Sequence, residues 1–461
     1  MVIRKKEKQI IFLLGSIILF LYFLFKMLQI TDDSMTVMYN SGLLALASIL
    51  IIFNVVYSLY PMDIFDPFPL TTGIYLMIFA ICPMSDVLND TTAVYGFNPV
   101  GGAFKGTLIF IASYVAFTIG YISKKKYCNY NYYDFTCEQI TVSDRSKVLI
   151  ISYFLWIIGL AGTFIYMTGN GLSIKYILSL GIDSGSDIVE SSGSPLGFIG
   201  MLTFTMITSC VYIMFYEKNK LITAIIFAVT MACLLVRGFR SIIIILMVAP
   251  IIYYYVKNGK RPKLITVLIM LFIVVLMIGA VGFVRNDLRA GEGASLQEFN
   301  KDVVIDTLMD NFRRYNIFYG MVEALPSKHN YTFGKNFLYT ITMIIPRIIW
   351  PGKPQPVMSE ILTVSTNATI ASTGAAWPNI GEYYMEFGIP GCIIIMYFMG
   401  RVFSRLRASF NSEAATPHSL MGYSVFIPSL VTIIAYGYTP STAYMIIFLL
   451  IPIFVMKLTK C

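Results

Sequence analysis

This sequence has few charged residues. Only 13% of its 461 residues are charged, against about 25% in soluble domains, while 57% are hydrophobic and the mean hydropathy is +0.72. A soluble enzyme, a disordered chain and a nucleic-acid-binding protein with a charged surface are therefore excluded. The composition predicts an all-α polytopic membrane protein.

Histidine and cysteine are also scarce. The two histidines, His329 and His418, fall on opposite predicted faces of the membrane, so they do not form a zinc site. Seven cysteines in a chain of this length do not make a disulfide framework. No Gly-rich phosphate loop opens a helix on the cytoplasmic side. The sequence thus predicts no metal site of histidines or cysteines, no cofactor and no site for a soluble nucleotide.

Long apolar stretches take the place of the missing charge. A helix needs about 20 mostly apolar residues to cross about 30 Å of hydrocarbon. The twelve stretches that qualify lie near 10–28, 40–58, 69–87, 104–122, 148–168, 196–216, 221–237, 240–256, 264–284, 383–403, 420–438 and 442–457.

The positive charge orients these spans. With the N-terminus inside, the inner segments carry 20 Lys and Arg residues, whereas the short outer loops carry only Lys105, Lys175, Arg237 and Arg240. Because positive residues concentrate on the cytoplasmic side, both termini are predicted to be cytoplasmic. Most of the net charge of +9 therefore comes from residues that mark the cytoplasmic side of the membrane, and it does not indicate a binding patch.

No Asp, Glu, Lys or Arg lies in the middle of a predicted span. Charges inside the membrane usually mark ion coupling and proton relays. Their absence from these stretches argues against an ion-driven transporter or a pump. A channel or a flippase with a polar cavity is still compatible with the sequence.

The one large non-membrane piece is the predicted outer loop 285–382, and loops of this length are usually functional or disordered. Its many aromatic residues argue against disorder. Apolar residues at three- and four-residue steps predict an amphipathic helix over 296–324 that ends before Pro326. Residues 337–350 are apolar but too short to span, so they are predicted to be re-entrant or interfacial.

Arginines gather on this outer side, where the short loops otherwise avoid positive charge. Guanidinium groups grip pyrophosphate oxygens in pairs and stay charged in a site of low dielectric, so arginines that converge there would bind a polyanion. For Arg313 and Arg314 singly, contact with lipid headgroups is an equal alternative. The outer-face arginines are Arg237, Arg240, Arg285, Arg289, Arg313, Arg314 and Arg347.

Three acidic or histidine sites are candidates for further chemistry. His329 is either a general base or an exposed loop residue. Glu382, where the loop returns to the membrane, is either a general base or the partner of an arginine. The pair Asp32-Asp33 is either a divalent-metal site or a helix N-cap.

Two motifs and the topology resemble a known family. The motifs are Pro346-Arg347-Ile348-Ile349-Trp350-Pro351-Gly352-Lys353-Pro354 and Gly381-Glu382-Tyr383-Tyr384-Met385-Glu386-Phe387-Gly388-Ile389-Pro390-Gly391, and they follow a short outer hairpin in which Arg240 opens a span. In these features the chain resembles the oligosaccharide repeat-unit polymerases, the Wzy-type O-antigen and capsule polymerases of bacteria.

The resemblance implies a multi-span membrane glycosyltransferase with a GT-C-like architecture. Such enzymes join undecaprenyl-pyrophosphate-linked repeat units on the outer face of the cytoplasmic membrane, without nucleotide sugar and usually with a chain-length-determining co-polymerase. By position, Arg240 with Arg237, Arg285, Arg289 and Arg347 match the arginine sites of the family, and Arg240, Arg285 and Arg347 are predicted to be catalytic. The resemblance does not assign the general base, for which His329 and Glu382 are the two candidates. Substrate-binding roles fall to Arg237, Arg289, Arg313, Arg314, Trp350 and Lys353.

Two other functions share parts of this pattern. An O-antigen ligase-like transferase has the same architecture and moves glycan to the lipid A core. A polysaccharide flippase would need a polar central cavity and has little use for so long an outer loop.

Overall fold

In the computed structural model, regular structure in the described residues is helical. These residues are 5–29, 34–60, 64–89, 99–123, 142–169, 197–236, 240–258, 301–342, 376–410 and 416–459, with a few isolated positions between them. The helices are α1 Lys5–Gln29, α2 Ser34–Leu59, α3 Pro67–Leu76, α4 Cys82–Leu88, α5 Val100–Ile122, α6 Val142–Gly169, α7 Gly197–Met201, α8 Thr203–Tyr216, α9 Lys220–Val236, α10 Arg240–Lys257, α11 Lys301–Phe312, α12 Tyr315–Ala324, α13 Lys335–Thr342, α14 Asn379–Phe410, α15 Pro417–Ala435 and α16 Thr439–Leu458.

The predicted spans correspond closely to these helices. Within the described residues, nine helical segments are long and apolar enough to cross a membrane, and two shorter apolar helices, Lys220–Leu235 and Ile242–Lys257, accompany them. Each predicted stretch except 264–284, most of which lies outside the described residues, has a helical counterpart. The polytopic all-α fold is thereby confirmed, while the number of twelve spans stays a prediction.

Two polar clusters lie at the two ends of the segment that α3 and α4 form across a π-helical turn at Met77–Ile81. At one end the Asp66 carboxylate accepts a hydrogen bond from the Tyr121 hydroxyl, and the Arg407 guanidinium lies 3.7 Å away. At the other end Asp86 contacts Arg313. The two aspartates stand about 30 Å apart at 1.5 Å per residue, which matches the thickness of a bilayer core.

The residues within each cluster share the same predicted side of the membrane. With the N-terminus inside, the predicted spans place Asp66, Tyr121 and Arg407 on the inner side. They place Asp86 and Arg313 on the outer side. Contacts between distant parts of the chain therefore group residues by predicted side. Which end faces the cytoplasm stays a prediction, and the ends are called inner and outer below in that sense.

Helices α5 and α14 approach each other backbone to backbone through a pair of glycines. A Cβ atom on Gly120 would lie 2.0 Å from the carbonyl oxygen of Tyr397, and one on Gly400 would lie 2.1 Å from that of Phe117. Each glycine thus faces the residue three positions before the other, so the two backbones touch at this point. Small residues at such contacts let helices in membranes pack closely.

Helix α14 is bent into a hairpin at Gly388. This residue has φ 64° and ψ −154°, a backbone conformation that glycine adopts readily. The amide of Asn379 lies 3.6 Å from the sulfur of Met396, although a straight helix would separate these residues by about 25 Å. The arm 379–387 therefore folds back along the helix 389–410.

This hairpin corrects the predicted span at 383–403. Pro390 lacks the N–H that would continue the helix across the bend, and residues 389–410 alone are about 33 Å long at 1.5 Å per residue. That length is enough to cross the membrane. The arm 379–387 therefore belongs to the outer loop. It is the segment by which that loop re-enters the helix bundle.

The described part of the predicted amphipathic helix over 296–324 begins at Lys301 and is two helices, α11 and α12, with a turn at Arg313 and Arg314 between them. Residues 296–300 lie outside the described residues. The periodic apolar pattern runs through the turn, so periodicity alone could not reveal it. Helix α12 is buried along nearly its whole length, where the prediction placed one continuous amphipathic helix with a polar face.

Candidate functional site

Helix α12 brings the outer loop into the bundle. The Tyr319 hydroxyl lies 2.8 Å from the Thr107 hydroxyl of α5, and the Phe318 ring meets the Phe79 ring edge-on at 5.7 Å. Tyr319 and Phe318 are fully buried. The loop is thus packed among the outer ends of the spans, and the polar residues beside it form the candidate site.

Asp86 organises one part of this site. Its carboxylate is buried and accepts hydrogen bonds from Arg313 Nε at 2.7 Å and from the Tyr315 hydroxyl at 2.6 Å. A second acid, Asp310, lies 2.5 Å from Arg313 Nη1. This cluster fixes the turn between α11 and α12 to the end of α4.

The cluster shifts two pKa values. Burial alone would lower the pKa of Arg313, but the hydrogen bond and charge of Asp86 raise it above its ordinary value. Burial, together with the Asp86 charge, raises the pKa of Tyr315 well above its usual range. Arg313 therefore stays cationic and Tyr315 stays a neutral hydrogen-bond donor.

Arg314 is held by an aromatic ring. Its guanidinium carbon lies 4.7 Å from the centre of the Tyr436 ring, close enough for a cation–π interaction. The Tyr436 hydroxyl donates a 3.0 Å hydrogen bond to the Asn311 side chain. Helices α11 and α15 are joined at this point, and the side chain of Arg314 is buried.

Glu382 lies on the returning arm 379–387 and is fully buried. Its Oε2 accepts a hydrogen bond from Trp377 Nε1 at 3.0 Å, and its Oε1 accepts from the Thr439 backbone N–H at 3.3 Å and from Asn336 Nδ2 at 3.4 Å. Three neutral donors from three parts of the chain thus surround this carboxylate. In the described residues none of its hydrogen-bond partners is an arginine, which was the alternative role expected for it.

Glu386, one turn further along the arm, caps the start of α13. Its carboxylate accepts hydrogen bonds from the backbone N–H groups of Gly334 at 2.5 Å and Asn336 at 3.1 Å. Acidic groups near a helix N-terminus satisfy free N–H groups and the helix dipole. This contact fixes α13 to the returning arm.

His329 lies in the turn that follows α12 and is partly exposed. Its Nδ1 is 2.6 Å from the carbonyl oxygen of Asn330. Because a carbonyl can only accept, the proton of this contact is on Nδ1, and in the neutral ring the basic lone pair is then on Nε2. A histidine oriented in this way has the form that a general base requires.

The other predicted site residues fall largely outside the described part of the chain. Arg237, Arg285, Arg289, Arg347 and Lys353 lie outside the described residues, as do Asp32 and Asp33. Arg240 is the first residue of α10, described by its backbone only. Trp350 is an isolated described position, and 42% of its surface is exposed.

Sequence reasoning missed Asp86, Tyr315, Asn336 and Trp377 as members of this site. Asp86 had a usable signal, since an acid in the last turn of an apolar span faces an arginine-rich loop on the same predicted side. Tyr315 and Asn336 had none, because their partners Asp86 and Glu382 are distant in the sequence. Trp377 lies only five residues before Glu382, but no sequence pattern indicates the hydrogen bond between them. In the described residues no group of three His, Cys, Asp or Glu side chains could hold a metal ion.

Comparison with known proteins identifies the family. A family model described as "O-antigen polysaccharide polymerase Wzy" matches residues 9–460, nearly the whole chain. The chain therefore belongs to this family, and the resemblance seen in its motifs and topology is confirmed. No curated protein and no solved structure matches the chain.

Proposed function

We propose that this member of the O-antigen polymerase family joins undecaprenyl-pyrophosphate-linked oligosaccharide repeat units on the outer face of the cytoplasmic membrane. A hydroxyl of the acceptor unit attacks the anomeric carbon of the donor chain. The bond from that carbon to the pyrophosphate oxygen breaks, and its electron pair leaves with undecaprenyl pyrophosphate. The proton of the hydroxyl passes to a base. The observation that carries the proposal is the family match over residues 9–460.

The leaving group needs positive charge, because a second negative charge develops on the pyrophosphate as the glycosidic bond breaks. Removing one preorganised donor of this kind typically costs about 10²–10³ in rate. We assign this role to Arg240, Arg285 and Arg347, with Arg237 and Arg289 binding the same groups. Lys353 and Trp350, beside Arg347 in sequence, would contact the pyrophosphate and the sugar.

Arg313 and Arg314 have a different role in this proposal. Both are engaged by protein, Arg313 by Asp86 and Arg314 by the Tyr436 ring. They hold α11 and α12 at the outer end of the bundle. We therefore assign Arg313 and Arg314 to positioning the site, while the arginines that match the family's arginine sites by position bind the substrate.

His329 is the stronger candidate for the base. It is partly exposed, and its contact with the Asn330 carbonyl leaves Nε2 as the basic nitrogen. Glu382 is the second candidate, but it is fully buried among three donors, so an acceptor hydroxyl would have to displace one of them. Its surroundings favour a positioning role.

The direct test incubates the purified protein with a synthetic lipid-linked repeat unit and separates the products by size. We expect ladders of two and more units, and Arg240→Ala and Arg347→Ala should each abolish them while the protein stays folded in the membrane. Arg405→Ala is the matched control, because Arg405 is exposed at the inner end. Wild-type ladders from both outer-face variants would contradict the arginine assignment.

The same assay separates the competing functions. Products made only when a lipid A core acceptor is added would assign a ligase-like transferase. Movement of the lipid-linked unit from one leaflet of a vesicle membrane to the other, without new glycosidic bonds, would show that the protein is a flippase. Dependence of chain length on an added co-polymerase would support that partner.

A further inference from the structure

An apolar cavity of about 640 Å³ lies between α14, α15 and α16, and its outer end reaches Thr439, a partner of Glu382. Helix α15 forms its floor, and the second half of α14 and the whole of α16 form its walls. It extends along α16 from Thr439 to Lys457, which is about 27 Å at 1.5 Å per residue. None of the residues proposed for catalysis lines it.

The cavity is open to its surroundings toward the inner end. There its rim consists of exposed apolar side chains, among them Val402 on α14 and Leu450 and Phe454 on α16. Toward Thr439 the lining residues are buried or half-buried. In a membrane-spanning bundle, an apolar groove with an exposed apolar rim faces lipid chains, so its mouth lies at the inner leaflet.

Gly422, on the floor, keeps part of this space empty. A Cβ atom there would meet only the Ile453 side chain, at an ordinary distance of 3.5 Å. The contrast is with Gly120 and Gly400, where a Cβ would lie 2.0–2.1 Å from a backbone oxygen. Close helix packing requires glycine at those two positions but not at Gly422, where the missing side chain leaves room in the groove.

Lys457 supplies a charge at the mouth. It lines the inner end of the cavity, is exposed, and makes no ion pair among the described residues. The other basic side chain there, His418, is 2.9 Å from the Tyr212 hydroxyl and so is engaged within the bundle. A cation beside an apolar groove is complementary to a lipid with an anionic head and a hydrocarbon chain.

We propose that this groove binds an anionic phospholipid of the inner leaflet, with the phosphate at Lys457 and one hydrocarbon chain between α14 and α16. At about 30 Å³ for a water-sized group, the cavity has room for roughly 20 such groups, comparable with the carbons of one chain. The lipid would brace the two helices that carry Glu382 and its partner Thr439. This site is separate from the outer-face chemistry.

The test reconstitutes the full chain in nanodiscs that contain equal amounts of phosphatidylglycerol and phosphatidylcholine, and counts the lipids retained by native mass spectrometry. Wild type should retain phosphatidylglycerol preferentially. Lys457→Gln should lower that retention about tenfold, the loss expected for one charge-assisted contact of about 1.4 kcal/mol. Gly422→Leu should lower retention of both lipids, because the added side chain fills the groove.

Two controls match these changes. Lys220→Gln removes an exposed lysine at the same end but off the groove, and Gly73→Leu adds the same side chain where a Cβ meets nothing within 4 Å. Both should retain lipid like wild type. If Gly422→Leu is not recovered as a single monodisperse species, Ala443→Leu fills the groove from the opposite wall.

Four results would overturn the proposal. The first is full lipid retention by Gly422→Leu and Ala443→Leu, the two variants that fill the groove. The second is an unchanged preference for phosphatidylglycerol in Lys457→Gln. Equal displacement of the lipid by decaprenyl phosphate in wild type and Lys457→Gln would assign the groove to a polyprenyl tail. Loss of a dimer in the filling variants would assign it to a second copy of the chain.

Discussion

Replacement of Glu382 by Gln separates a positioning role from a catalytic one. Gln keeps an oxygen for the Thr439 N–H and the Asn336 amide, but its own NH2 then faces the indole N–H of Trp377 across the present 3.0 Å hydrogen bond. One hydrogen bond is lost and a buried donor is left unsatisfied, which costs about 1–3 kcal/mol. Glu382→Leu removes all three acceptor contacts, so its cost is roughly three times as large.

These costs are large beside the 5–15 kcal/mol that typically stabilises a folded protein. We therefore expect Glu382→Gln to unfold at a lower SDS fraction in mixed micelles, and Glu382→Leu to be recovered poorly or not at all. Activity is expected to behave differently. Ladder synthesis per folded molecule should fall less than about tenfold in the Gln variant, whereas loss of a general base typically costs about 10²–10⁴.

The positioning role of Glu382 would be refuted by unfolding and ladder synthesis measured together on Glu382→Gln. If Glu382→Gln unfolds like wild type but loses a hundredfold or more in ladder synthesis, the carboxylate is the base, and the reasoning from its burial and donors is wrong. Glu323→Gln is the matched control, since Glu323 is an exposed glutamate on the neighbouring helix α12. It should leave both measurements unchanged.

Three further predictions use the same two assays. Asp86→Ala should lower stability by about 3–5 kcal/mol, because it leaves the Arg313 charge buried without its main partner, and the double variant with Arg313→Ala should lose less than the sum of the single changes. His329→Gln should unfold like wild type but slow ladder synthesis by about 10²–10⁴, and an active variant would remove this residue from the mechanism. Gly120→Ala should cost about 1–3 kcal/mol, since its Cβ would lie 2.0 Å from a backbone oxygen of α14. Gly73→Ala, in open space, should cost nothing.

The spans were predictable because they depend on a property that is local in the sequence. An apolar stretch of about 20 residues is helical in a bilayer whatever its neighbours are, since its backbone groups find no other partners there. The alternation of sides followed from positive charge in the loops, and the clusters at Asp66 and Asp86 agree with it.

The returning arm 379–387 could not be predicted in the same way. Its sequence is apolar enough to extend the following span, and hydropathy does not record direction. Gly388 and Pro390 permit a bend, but the bend is held by Glu382 and Glu386, whose donors at the start of α13 and α16 lie far away in the sequence. The same holds for the turn at Arg313, whose partner Asp86 is 227 residues distant.

These contacts also show which residues are left to bind an anion. In the described part of the outer end, the Arg313 charge is shared between Asp86 and Asp310, and Arg314 faces an aromatic ring. This part of the site therefore carries no surplus of positive charge for a pyrophosphate. If the proposed chemistry is right, that charge must come from the arginines of 237–240, 285–289 and 347, which is why variants of Arg240 and Arg347, and not of Arg313, are the decisive ones.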